Sequence, residues 1–190
     1  MDTLLSVAIG VGLSAACGVR VFVPLLVIGI AARAGILTPS PGFEWLGSDP
    51  ALIALGTATL LEVLAYFIPG VDHLLDLIAT PTAVMAGILA SAAVLTDLPP
   101  VLKWGLAVIA GGGAAGLVQG ASVLMRLKSA ALSGGIGNPV VALFELAASL
   151  LTSLVAIAVP LLAVVLVLTL CVLAFRAAGR ILFGRRRAAS

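Results

Sequence analysis

The chain has 190 residues, 62% of them hydrophobic and only 9% charged, with a mean hydropathy of +1.30 and a formal net charge of +2. A soluble domain of this length cannot cover so much apolar surface, so the composition excludes an ordinary soluble protein and predicts an integral membrane protein whose first partner is the lipid bilayer. The two cysteines, Cys17 and Cys171, lie in apolar stretches where a free thiol behaves as a small hydrophobe, and they give no redox or metal signal.

Apolar stretches place spans at about Leu4–Ala32, Ala51–Ile68, Leu74–Leu95, Leu102–Leu124, Pro139–Ala158 and Pro160–Phe183, which predicts an all-α polytopic membrane fold of about six transmembrane helices in one domain. The first follows Met1-Asp2-Thr3, which lacks the basic region of a secretory signal, so it is expected to be a retained span. As one helix it would rise roughly 43 Å against a hydrocarbon core of about 30 Å, so it must tilt, break or protrude. The last two spans are nearly continuous and would form a rod of roughly 67 Å, so a reversal is expected near Pro160. "IPGVDH" (Ile68–His73) and "TDLPP" (Thr96–Pro100) carry clear turn residues. The long polar segment Gly35–Pro50, with three prolines and the amphipathic pair Phe43 and Trp45, is expected to rest at the outer interface.

Arg176, Arg180, Arg185, Arg186 and Arg187 crowd the C-terminal end, which predicts that this end is cytoplasmic and, with an even number of spans, that Met1 is too. On that count Arg126 and Lys128 fall in a cytoplasmic loop of a cell (inner) membrane protein. The basic tail, residues 185–190, is read as a topology determinant that touches anionic lipid headgroups, and no nucleic-acid partner is expected.

Intramembrane polar residues are the default pointers to function, because each is costly when unpaired. Arg20 lies in "ACGVRVFVPLL", and Pro24 frees its carbonyl, so the helix is expected to kink or break at this cation. Glu62 lies in the middle of the second span and Glu145 in the fifth. Asp72 and Asp76, one turn apart at the start of the third span, suit a helix N-terminus, Asp72 as a cap. Pairing of Arg20 with Glu62 or Glu145 is expected, either to cement the bundle or to form a polar pocket. The sole histidine, His73, sits at a turn without a nucleophile or metal-ligand cluster around it, so no catalytic residue, metal or cofactor is expected.

In "SGGIGNPVVALFE" (Ser133–Glu145) glycines precede Asn138 as a helix cap and Pro139 at the first helical position, so a helix is expected to open here with free N–H groups. A second cluster, "GGGAAGLVQG" (Gly111–Gly120), repeats small residues at helical spacing, as do Gly10, Ser14 and Gly18, which predicts close helix approach. The similar texture of the two halves suggests a duplicated three-span unit, residues 1–98 and 99–184, inverted in the membrane. A homo-oligomer is compatible with such small-residue faces.

"GVRVFVPLL", "IPGVDHLLDLI" with Glu62 ahead of it, and "SGGIGNPVVALFE" together resemble a family of small integral membrane proteins of bacteria and plants known only as a domain of unknown function. The resemblance implies an all-helical membrane fold and no particular activity. The chain departs from it where Ala65, Tyr66 and Phe67 replace charged residues before the Ile-Pro-Gly turn, and where Leu146 replaces a second acid. Two function classes follow: a small-solute or ion transporter or channel with a polar site at Arg20, Glu62, Asp72, Asp76, Asn138 and Glu145, or a membrane scaffold or lipid-handling protein with structural ion pairs.

Overall fold

The computed structural model describes residues 2–68, 71–133, 138–169 and 172, leaving aside the side chains of residues 71–77, 127–133 and 138–139. Among the described residues every regular element is helical. In chain order these are α1 (Thr3–Cys17), α2 (Phe22–Arg33), a 3₁₀ turn (Glu44–Gly47), α3 (Asp49–Ala65), α4 (Val71–Val94), α5 (Pro100–Leu106), a π-helical turn (Ala107–Gly112), α6 (Gly113–Ser133), α7 (Asn138–Ala158) and α8 (Pro160–Thr169).

The first apolar segment is broken. α1 stops at Cys17, Gly18 to Val21 form the break, and α2 resumes at Phe22 with Pro24 in its first turn, where a missing N–H costs nothing. Helix α1 forms the centre of the bundle and packs on α4, α6 and α7. Its small residues allow the contact: Ser14 Oγ donates to the Gly87 carbonyl at 2.6 Å, and a Cβ at Gly111 would lie 2.7 Å from Ser91 Cβ and 3.0 Å from Ser14 Oγ. Of the two glycine stripes read from the sequence, Gly10 and Gly18 are both closely packed, whereas Gly120 has open space around it. The π-helical turn lies in this same crossing and contributes Gly111 and Gly112.

The chain turns sharply at Pro160. A Cβ at Gly12 would meet the Cβ atoms of both Ala156 and Ala163, at 2.7 and 3.0 Å, so these two lie far closer together than the roughly 10 Å that seven residues of straight helix would rise. Two boundaries differ from expectation. Helix α4 already begins at Val71, so His73 belongs to the helix rather than to the turn. Helix α6 runs on to Ser133, so Arg126 and Lys128 are helical and not in a loop; the helix continues because its buried face goes on as Gln119, Ser122 and Arg126 after the hydropathy has dropped.

The segment between α2 and α3 is docked on the bundle. Ser40 N–H donates to the Ala93 carbonyl at 2.7 Å, its hydroxyl to the Ala92 carbonyl at 2.8 Å, and the Lys103 ammonium reaches Ser40 Oγ at 2.5 Å and covers the Phe43 ring at 5.0 Å. Leu37, Phe43 and Leu46 are buried, while Trp45 is exposed. Ser40→Ala removes the hydroxyl from two polar partners, the Ala92 carbonyl and the Lys103 ammonium, and is expected to cost about 1–3 kcal/mol, read from the denaturation midpoint. The exposed Arg33–Asp49 pair sits nearby, and Asp49→Asn should change stability by less than about 1 kcal/mol.

Two stretches, Pro100–Arg126 and Val140–Ala158, are long and apolar enough to cross a membrane. Large apolar side chains also face outwards on other elements, among them Leu60, Leu61 and Leu64 on α3 and Leu161 and Val165 on α8.

Candidate functional site

The break after α1 turns the side chain of Arg20 into the bundle, where it is 0% exposed. Its Nη2 donates to the Ala142 carbonyl, in the first turns of α7, at 3.0 Å, and lies 3.3 Å from Glu145 Oε2. Its Cζ stands 4.3 Å from the centre of the Tyr66 ring. A buried guanidinium is tolerated on such terms: a carboxylate, a carbonyl and an aromatic face replace water.

Glu145 is the hub of the cluster. Ser122 Oγ donates to its Oε1 at 2.6 Å, and Arg126 grips both oxygens, Nε to Oε1 at 2.9 Å and Nη2 to Oε2 at 2.5 Å. Arg126 Cζ also lies 4.2 Å from the Tyr66 ring centre, so one aromatic ring contacts two guanidinium groups. The Arg126 contact with Glu145 is bidentate and tight, whereas the Arg20 contact is single and long.

Glu62 does something different. From α3 it accepts the Val21 N–H on Oε1 at 2.9 Å and the Phe22 N–H on Oε2 at 3.2 Å, and so caps α2 at the break. A carboxylate at this helix end meets the positive end of the dipole and two orphan donors. The break beside Arg20 is thus held open by an acid three elements of chain away from it in sequence.

The residues singled out in the sequence therefore separate. Arg20 and Glu145 are brought together, and Glu62 reaches the backbone next to Arg20. Helix α7 begins at Asn138 and α4 carries Asp72 and Asp76 in its first turns, but the side chains of all three lie outside the described residues, as do the Gly134–Gly137 stretch and the C-terminal arginines. Sequence reasoning missed Arg126, Tyr66 and Ser122. The signal was the spacing of Gln119, Ser122 and Arg126, three polar residues on one stripe of α6, which argues for a buried polar face rather than a span ending in a loop. Tyr66 stands where the family resemblance led one to expect charge, and its ring serves the same cations by a different interaction.

Among the described residues no three His, Cys, Asp or Glu side chains are grouped as a metal site. The family whose model matches the chain is described as a domain of unknown function, DUF4126, and the match covers residues 7–180, in agreement with the resemblance read from the sequence. No curated protein and no solved structure matches.

Proposed function

The chain belongs to the DUF4126 family, and on that premise we propose that it is a multi-pass protein of the cell (inner) membrane that binds and passes a small solute at the cluster of Arg20, Glu62, Tyr66, Arg126 and Glu145. The observation that carries the reading is that four separate parts of the fold, the α1–α2 break, α3, α6 and α7, bring charged groups to one buried place at an interrupted helix. Buried ion pairs can often be replaced by packed apolar residues without loss, so cement alone is a poor reason to keep so many in a chain only 9% charged. Interrupted helices facing polar groups are also the way solute sites are built at membrane depth.

The membrane reading draws on the outward-facing Leu, Ile, Val and Phe side chains, which water would not tolerate at this density. Six spans are then α1 with α2, α3, α4, α5 with α6, α7, and the segment from α8 onwards, with both termini cytoplasmic. Each three-span half contributes an acid from its middle span, Glu62 or Glu145, as an inverted repeat would. Reporter fusions at the two ends should report the same side; opposite sides would make the span number odd.

A scaffold is the second reading, favoured by Glu62, whose oxygens are both used in holding α2. The purified protein in liposomes decides between them. Light-scattering recovery after osmotic shock, measured across chloride, gluconate, sodium, potassium and ammonium salts, should be faster than in empty vesicles for at least one solute. Arg20→Lys, which keeps the charge and loses the planar fork, should slow that solute about tenfold. Recovery equal to that of empty vesicles across the panel would leave the scaffold.

A further inference from the structure

Arg20 uses Nη2 on Ala142 and Glu145, but its Nε and Nη1, which carry three of a guanidinium's five N–H bonds, have no hydrogen-bond partner among the described residues. Buried donors in this position cost free energy until an acceptor meets them. Among the described residues Arg20, Arg126 and Ser122 all converge on the carboxylate of Glu145, while Glu62 is occupied by backbone amides. What Nε and Nη1 of Arg20 call for is an oxygen acceptor.

The way to it runs between helices. A half-open cavity of about 430 Å³ lies between α6 and α7, walled by Leu117, Met125, Val141 and Phe144, with Val19 from the break and the polar pair Ser122 and Glu145. Met125 and Phe144, which line it, are exposed, so the cavity communicates with the apolar outer surface of α6 and α7. Its volume falls in the lower part of the usual ligand range and has room for one acyl chain rather than two. Arg20 itself does not line the cavity, but Val19 directly before it does, and so does Glu145, 3.3 Å from the Arg20 guanidinium.

We infer that this groove and Arg20 together bind a single-chain amphiphilic acid, its tail between α6 and α7 and its carboxylate on Arg20. The geometry gives Glu145 the part of a movable partner: its grip on Arg126 and Ser122 is short and multiple, its contact with Arg20 is one of 3.3 Å, so an incoming carboxylate replaces it at Arg20 while it stays on Arg126. The inference rests on the solute-site reading above and gives that site a substrate class and a lateral way in from the bilayer.

The test uses palmitate carrying a diazirine in its chain, photolysed with the full chain in phosphatidylcholine nanodiscs, with the labelled peptides mapped. Labelling should saturate and fall on residues 117–125 and 141–148. Dodecanoate should compete about tenfold or more better than dodecanol, because the alcohol lacks the charge-assisted bond. Ala148→Phe, a change on the exposed groove wall, should abolish saturable labelling with an unchanged thermal midpoint, and Arg20→Lys should weaken it about tenfold. Unsaturable labelling spread over α3 and α8 would overturn the site. Equal competition by dodecanol would remove the carboxylate from it, and equal competition by phosphatidylglycerol would assign the groove to a two-chain lipid. Competition by acetate at the concentration at which dodecanoate acts would remove the groove. Any of these alongside Arg20-dependent flux of a small solute sinks the amphiphile and leaves the transport reading standing; saturable labelling without any flux does the reverse.

Discussion

Glu145→Leu should be the most damaging single substitution, lowering stability by about 3–5 kcal/mol. The change leaves Arg20 and Arg126 buried beside the same Tyr66 ring with their shared carboxylate gone, and strips Ser122 Oγ of its acceptor. In a thermal scan in detergent this amounts to a fall of roughly 10 °C. Adding Arg126→Met to Glu145→Leu should restore part of the loss, since an apolar pair avoids the uncompensated charge. A double-mutant cycle in which the two changes simply add would remove the coupling on which the cluster depends. Glu62→Gln should be milder, about 1–2 kcal/mol, because the amide oxygen still accepts one of the two backbone N–H groups at α2.

Gly18→Ala comes second. Its added methyl would run into the Ala115 carbonyl and lie 2.8 Å from Val118 Cβ and 3.0 Å from the Gln119 nitrogen. Two of these atoms are backbone of α6 and cannot swing aside, so α1 and α6 must part just where the break sets the direction of Arg20. A loss of about 3 kcal/mol is expected, at the upper end for overpacking. Gly120→Ala on the same helix α6 meets nothing within 4 Å and should stabilise by about 1 kcal/mol through helix propensity. Measuring both midpoints separates steric fit from glycine's backbone effect; a similar response of the two variants would contradict the close α1–α6 contact.

The interruption at Arg20 was legible because its causes are local: a glycine, a proline and a cation within seven residues of an overlong apolar run. The sharp turn at Pro160 was legible for the same reason. The partners of Arg20 were legible only as types, because which acid reaches a buried cation depends on helix rotation that apolar sequence barely encodes. Glu62 illustrates this, as it accepts the backbone N–H groups of Val21 and Phe22 rather than bonding the guanidinium itself. Arg126 was obscured by hydropathy, which falls at a span end and at a buried polar stripe alike. The docking of Ser40 on the Ala92 and Ala93 carbonyls lay out of reach, since it depends on a contact across more than fifty residues of chain.

The ring that both guanidiniums contact belongs to the only tyrosine in the chain, and the two tryptophans lie elsewhere, Trp45 in the docked segment and Trp104 on α5 beside Phe43. Helix α3 separates Trp45 from Tyr66 by roughly 25 Å of rise. The molecule therefore carries two kinds of native chromophore with separate addresses. Near-ultraviolet dichroism of the phenol reads the position of the cations against its face, and indole emission reads the seating of the docked segment, so both can be followed during a single titration without attaching a label.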